Sequence, residues 1–502
     1  MEEIKYSIIV SQLGYRPEDR KTGIIRCDSP DCDMGSKGEA RVVCIEESKE
    51  VYIVKEIPYW GKKWGINFWI IDFSEFKQEG IFYLEIPLIG LKSCEFKIKK
   101  SLFIEETLIK TSVGQLDLKA GGKMGWQDCG SDLRAVEGHA VQLMGLIDCI
   151  DSFSDVIENE LKKRFNMHIR IGADYLVLCQ RNDGSFLNEY YSVHDKRNWT
   201  LCMLATIALT RAYEVTEIVG YLDAAKKGWD YCIQITEYSR EEVLQEIEET
   251  RKIFGKDSPW APPRGLRTRD KLLIIFAGTE LYKNTNDVKY KYEAINNANI
   301  ICGKLQFLDY SCFETGIYGN FYAWEDSGIH QKSWEHTGWG YNCGSILPDE
   351  ITGFINLLNM FPEDSRWIDW RYAVRQYAFG YLKAASDLTP FKIYPLGIFD
   401  GEVRFFGPSW HGFNGMYGRI ARMSMLLARM FEDLDLEDIA NRNMQWVAGL
   451  NTGTETEIGC FEGIGWINGA GRNSVRSWTN IVGSISNGFC ANRQFKMIHL
   501  DD

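Results

Sequence analysis

The chain has 502 residues, 45% of them hydrophobic and 25% charged, which suits a globular protein of two unequal domains or one large one. Its formal charge of -13 argues against nucleic acid as the main partner, because polyanion binders concentrate basic charge, and favours a neutral ligand. The longest apolar runs, such as Leu201 to Leu209, are interrupted and far too short to span a bilayer, so no membrane partner is expected.

The opening MEEIKYSIIV lacks the basic start and apolar stretch of a secretory leader. The 14 cysteines are scattered without metal-ligand spacing, and Cys179, Cys202, Cys232 and Cys302 fall in apolar helical patterns where a reduced thiol acts as a small hydrophobe. A cytoplasmic location is the expectation for the chain as it stands, and a secreted one if a leader has been removed. From Tyr6 to Lys99 the sequence offers seven short β-type runs (SIIVS, TGIIRC, ARVVCI, EVYIVKE, INFWIIDFS, GIFYLEI, CEFKIK) separated by polar turns. That spacing predicts an immunoglobulin-like β-sandwich over residues 1–100, and its cysteines need not form a bridge.

Residues 121–140, GGKMGWQDCGSDLRAVEGHA, mark a change of character. Gly121, Gly122, Gly125 and Gly130 permit backbone conformations that a Cβ disfavours, so the segment reads as a shaped loop. Asp128 and Asp132 stand at its end, where an apolar run from Val136 to Leu146 takes up helical spacing; the plainer alternative is that Asp128 or Ser131 caps that helix. Helical periodicity then recurs over residues 155–180, 199–216, 223–251, 268–282, 349–360, 365–385, 412–431 and 436–450. With no fixed repeat of 30 to 45 residues, the pattern predicts a closed barrel of paired helices over residues 101–502. Two segments break it: the aromatic- and Gly-rich loop 309–348, which carries Glu325, Asp326, His330, Glu335 and His336, and the Gly- and Ser-rich stretch after Leu450. Both are candidate walls of a cleft.

The runs IIVSQLGYRPEDRKTGII, WIIDFSEFKQEGIFYLEI and SCEFKIKKSLF resemble the immunoglobulin-like domain that precedes the catalytic barrel in family 9 glycoside hydrolases. GGKMGWQDCGSD stands where that family has Gly-Gly-Trp-x-Asp-Ala-Gly-Asp, and GADYLVLCQRNDGSF and QWVAGLN resemble later barrel segments. The resemblance implies an (α/α)6 toroid whose two turn aspartates hold and activate the attacking water. Asp128 matches the first; the second position is Ser131, with Asp132 one residue later. The family's general acid is a Glu in a Tyr-x-x-Asn-Glu segment, and the nearest counterpart, SISNGFCA, has Gly488 in that place. Inversion needs an acid and a base about 6.5–9.5 Å apart. Glu335 is therefore the candidate acid from the aromatic loop, with Asp326 beside it, unless the acid lies beyond Asp502.

The candidate catalytic residues are thus Asp128, Asp132 and Glu335. Asp132 has the alternative role of a first-turn acid favoured by the helix dipole and paired with Arg134. Trp126, Trp324, Trp334, Trp339 and Trp410 are candidate sugar platforms, since pyranose C–H faces pack on aromatic rings. Arg134, His139, His336 and His411 are candidate hydroxyl partners, and a satisfied buried histidine is the alternative for His139. Arg264, Arg267 and Arg269 form a basic cluster suited to an acidic sugar or to a solvated face.

These readings lead to a glycoside hydrolase acting with inversion on a β-linked glucan or related oligosaccharide. The alternatives are a non-catalytic glycan-binding relative and a polysaccharide lyase built on the same barrel, in which Tyr, His and Arg replace the carboxylate pair. The expected partner is an oligosaccharide or polysaccharide. No cofactor or metal is required; structural calcium is common in the resembled family, but no loop here has a convincing ligand spacing.

Overall fold

The computed structural model describes residues 6–29, 32, 38–128, 132–191, 198–242, 244, 248, 265–306, 316–321, 351–395, 397–399, 402–406, 412, 414–457, 459–474, 480–491 and 498–501. By density of contacts the chain forms two compact units, one of residues 1–111, 381–396 and 403–502, the other of residues 112–380 and 397–402.

The first unit contains nine N-terminal strands: β1 Tyr6–Ile9, β2 Thr22–Cys27, β3 Ala40–Cys44, β4 Lys49–Val54, β5 Tyr59–Lys63, β6 Ile66–Asp72, β7 Gly80–Ile86, β8 Leu91–Lys92 and β9 Phe96–Ile98. They build two antiparallel sheets, ordered β1-β2-β6-β5 and β4-β3-β7-β8, with β9 also paired to β7. Alternation explains the inward faces. In β7, Phe82, Leu84 and Ile86 are buried while their neighbours lean outward, and they meet Val42, Ile25, Trp69 and Phe96 in one core. Tyr15 is enclosed there with its hydroxyl satisfied, donating to the Thr22 carbonyl at 2.8 Å and accepting from the Ser11 amide at 3.0 Å. All seven sequence runs became strands. β5 and β8 were not foreseen, because their polar residues and brevity leave no alternation to read. Cys27 and Cys32 are joined by a disulfide at the end of β2, a bridge that the sequence did not require.

The second unit begins with a short helix, α1 Gln115–Lys119, and a two-stranded hairpin, β10 Ala120–Gly121 with β11 Lys123–Trp126. Among the described residues four helical pairs follow: α2 Val136–Phe153 with α3 Asn159–Leu178, α4 Trp199–Thr216 with α5 Val219–Ile233, α6 Thr268–Thr285 with α7 Val288–Ile300, and α8 Thr352–Met360 with α9 Trp367–Arg375. The first member of each pair packs on the next pair's first member, so α2, α4, α6 and α8 form an inner row and their partners an outer one. The sequence sets this division. Every residue of α4 from Trp199 to Ala212 is buried, as a helix apolar on all sides must be. The threonines within it are tolerated because Thr206 and Thr210 donate back to the Cys202 and Thr206 carbonyls at 2.9 and 2.8 Å. Two pairs are closed by links in which Glu217 and Asn286 take left-handed backbone and donate to the Tyr213 and Tyr282 carbonyls. Thr200, near the start of α4, donates to Asp270 near the start of α6 at 2.7 Å, so these inner helices begin at the same end of the row.

A further helical pair, α10 Asn414–Phe431 with α11 Leu434–Val447, belongs to the first unit. Asp433 caps α11, its carboxylate accepting from the Leu436 amide at 2.9 Å.

Candidate functional site

The candidate turn runs from β10 to the first residue of α2. Gly125 has φ of +80°, and a Cβ there would lie 2.6 Å from His139 Nε2 and 2.7 Å from Tyr175 Cγ. Only glycine lets the strand approach those rings this closely. Trp126 follows with its indole packed inward, stacked on His139 at 5.0 Å with 9° between the planes. The Trp126 amide donates to His139 Nε2 at 2.6 Å and its indole N–H to His168 Nδ1 at 3.2 Å.

The side chains beneath the turn are committed to its backbone. Arg134 is 2% exposed and donates to the Gly125 and Gly121 carbonyls at 2.6 and 3.0 Å. His139, also 2% exposed, meets the Ala135 carbonyl at 2.7 Å through Nδ1 and the Trp126 amide through Nε2. An amide can only donate and a carbonyl only accept, so the ring is the neutral Nδ1–H tautomer. Burial pushes its pKa down to about 4. Tyr175 stacks on the other face at 4.2 Å, and its hydroxyl donates to the Arg134 carbonyl at 2.6 Å. Trp126, Arg134 and His139 therefore shape the turn from below. The expectation that they contact sugar gives way to this, because their surfaces are covered and the ring nitrogens of Trp126 and His139 and the terminal guanidinium nitrogens of Arg134 are spent on the protein itself.

Asp128 is the exposed product of this arrangement. Its amide donates to the Leu133 carbonyl at 2.7 Å, while the residue itself is exposed. It does not cap α2. That cap is Ala135, which makes no side-chain capping bond; the Val136 amide instead donates to the Asn188 carbonyl at 2.9 Å and the Arg134 amide to Glu189 at 2.8 Å. Asp132 is also exposed, and its ion-pair partner is Lys123 rather than Arg134. The hydrogen bond from Lys123 holds its carboxyl below the ordinary carboxylate range.

Two residues that the sequence did not single out pack against the strand that leads into the turn. Tyr190 and Tyr191 are exposed and packed edge to face at 5.2 Å. The Tyr191 hydroxyl accepts from the Met124 amide at 3.0 Å, and Lys123 Nζ lies 5.2 Å from its ring centre. The available signal was two adjacent aromatics in the polar segment NEYYSV, directly after the DGSF turn.

Arg267 and Arg269, at the start of α6, are buried, which corrects the solvated-face alternative. Arg267 donates to Asp270 at 3.1 Å and to Thr200 at 2.9 Å, and Tyr238 also donates to Asp270. Burial alone would raise the Asp270 pKa, but the two arginines and these hydrogen bonds hold it below the usual value. Glu335, Asp326, Trp324, Trp334, His336, Trp339, Trp410, His411 and Arg264 lie outside the described residues.

Gly488, which stands in the general acid's place, is described, and its backbone has φ of +92°. A Cβ on it would fall 2.6 Å from Asn414 Cγ. Asn414 is itself fixed, its amide donating to the Asn487 carbonyl and its Nδ2 to the Ser486 carbonyl, both at 2.9 Å. A glutamate cannot stand here without moving Asn414 and straining the backbone. Among the described residues no group of three His, Cys, Asp or Glu side chains is arranged to hold a metal ion.

Comparison with known proteins agrees with this architecture. The family described as "Cellulase N-terminal ig-like domain" matches residues 4–90. No curated protein sequence matches the chain. Among solved structures, a metagenome-derived glycoside hydrolase family 9 endoglucanase is similar over 97% of this chain and 91% of its own, at 14% identity and a TM-score of 0.66. AaCel9A, solved with cellobiose-like isofagomine, is similar over 97% and 90%, at 12% identity and a TM-score of 0.63. A Bacteroides ovatus GH9 protein is similar over 98% and 93%, at 16% identity and a TM-score of 0.58. At these identities the likeness is one of fold, and the fold is the expected one: an immunoglobulin-like sandwich followed by an (α/α)6 barrel.

Proposed function

We propose that this protein is a glycoside hydrolase that cleaves a β-linked glucan or related oligosaccharide with inversion. Asp128 carries the reading: it is an exposed carboxylate on a turn held from below by Arg134, His139 and Tyr175, in a fold shared with endoglucanases. In this mechanism Asp128 orients a water and takes its proton as the water attacks the anomeric carbon, while an acid on the other side of the bond protonates the departing oxygen. Asp132 is less suited to act as the base, because the Lys123 bond that lowers its pKa also lowers its affinity for the proton. Tyr190 and Tyr191 offer exposed aromatic faces against β11, the strand that leads to Asp128, and the net charge of -13 suits a neutral glycan. Since Asn414 fills the space a side chain at 488 needs, the acid has to come from elsewhere, and Glu335 is the candidate.

The same observation at Gly488 favours a second reading, a glycan-binding relative without turnover. One set of measurements separates the two: release of reducing ends from soluble β-glucans by the wild type and by Asp128→Asn, Asp132→Asn and Glu335→Gln, with product anomers followed by NMR. The hydrolase reading expects an inverted product, a loss of about 10²–10⁴-fold for Asp128→Asn and a smaller one for Asp132→Asn. Calorimetric binding of the same glucans with no product from the wild type would select the second reading. Equal rates for wild type and Asp128→Asn would refute the role of Asp128.

A further inference from the structure

Trp126 is held by two imidazoles, and each can only accept from it. An indole N–H has no acceptor capacity, so His168 must present a bare Nδ1 to it and carry its proton on Nε2. That proton points at Asp117 Oδ1, 2.8 Å away. The other Asp117 oxygen is engaged by Arg164, one helical turn before His168 on α3. Asp117 thus selects the His168 tautomer, His168 fixes the Trp126 indole, and Trp126 sits two residues before Asp128. A second tie runs through the backbone, where the Gln127 amide donates to the Lys119 carbonyl at the end of the helix that carries Asp117. His168 is fully buried, whereas the Asp117 side chain is 39% exposed, so the start of the chain of bonds reaches the surface while its end lies under the turn.

We propose that Asp117 and His168 are positioning residues for Asp128, acting through the Trp126 indole and touching no substrate. The inference rests on the reading of Asp128 as the water-activating carboxylate. Without the Asp117 acceptor, His168 is free to carry its proton on Nδ1, which sets donor against donor at the indole. The ring must then turn or the turn must shift. Reacting groups tolerate little of that, since a displacement of about 1 Å costs on the order of a hundredfold in rate. The device follows the general use of a carboxylate to orient an imidazole, here applied to an indole and, through it, to a second carboxylate.

The test uses the full chain carrying Asp117→Leu or Asp117→Asn, with Asp128→Asn as control. Two quantities are read: kcat and KM on a soluble β-glucan, and hydrogen exchange by mass spectrometry over residues 121–134 against the strands of the β-sandwich. Leucine should lower kcat at least tenfold with KM within twofold. It should also speed exchange in the turn at least tenfold while leaving the sandwich unchanged. Asparagine keeps an acceptor oxygen for His168 Nε2–H and should return both quantities to within threefold of wild type. Wild-type kcat and wild-type turn exchange in Asp117→Leu would overturn the proposal, as would asparagine and leucine variants that are equally impaired. If wild type and Asp128→Asn hydrolyse at the same rate, the reading of Asp128 fails, and the exchange comparison alone decides whether Asp117 holds the turn.

Discussion

Acidification should loosen the candidate turn through its buried neutral histidines, and for His139 the size of the effect follows from its burial and hydrogen bonds. His139 Nε2 accepts the Trp126 amide and Nδ1–H donates to the Ala135 carbonyl, so a second ring proton has no acceptor and would evict the Trp126 amide. Burial lowers the folded-state pKa from 6.5 to about 4, with the Arg134 charge adding to the effect. A histidine depressed in this way binds its proton in the unfolded chain first. Its contribution is therefore complete above pH 6.5, declines as pH falls from 6.5 to about 4, and changes no further below that. The shift of about two and a half units corresponds to about 3 kcal/mol at 1.36 kcal/mol per unit. The perturbation is His139→Gln, which cannot titrate, compared with wild type by urea unfolding from pH 7 to pH 4. Glutamine lacks the stacked ring, so the variant should be the less stable protein at pH 7. The gap should narrow by about 3 kcal/mol at pH 4, because only the wild type loses the histidine term. Carboxylates such as Asp117 and Asp270 titrate in both proteins and cancel in the difference. Parallel stability curves across this range would refute the assignment of His139 as a buried neutral acceptor.

Three further outcomes follow from packing around the same residues. Gly172→Ala places a methyl group 2.5 Å from Trp126 Cη2 and should destabilise the protein by about 1–3 kcal/mol, read as a lower Tm with a matching loss of glucan hydrolysis; an unchanged Tm would mean that the indole is not clamped. Gly488→Glu should install no acid and should cost about 1–3 kcal/mol through its φ of +92° and the collision with Asn414. Adding Asn414→Gly should recover part of that loss, and wild-type stability in the single variant would contradict the geometry. Tyr190→Ala removes an exposed ring packed edge to face on Tyr191 and should raise KM about five- to tenfold, the equivalent of about 1 kcal/mol, with kcat nearly unchanged; an unaltered KM would exclude the ring from glycan contact.

The sequence carried the architecture well wherever periodicity was strong. GIFYLEI announces β7 because Phe82, Leu84 and Ile86 alternate with residues that lean outward, and the predominantly apolar α4, broken only by small hydroxyls before Arg211, announces a helix covered on all sides. β5 escaped because YWGKK has no such alternation and is held by pairing with β6, a long-range fact. Glycines and aspartates mark the turn in the sequence, yet Trp126 and Arg134, expected to face a ligand, support its backbone, and His139 takes its alternative role of a satisfied buried histidine. The reason is general to turns of this kind. A hairpin bent at glycine leaves its own amides and carbonyls without ladder partners, and those that are buried must find acceptors and donors elsewhere. Here Arg134 answers the Gly121 and Gly125 carbonyls, His139 the Trp126 amide and Tyr191 the Met124 amide. Polar and aromatic residues gather around such a turn because its backbone requires them, whether or not a ligand also does. Asp117 and His168 complete the support from 9 and 42 residues away from Trp126, so no local window could reveal them. The residues to rank highest as ligand-facing are those that stay exposed while others serve the backbone, and around the turn that selects Asp128 and Tyr190 over the buried tryptophan, arginine and histidine.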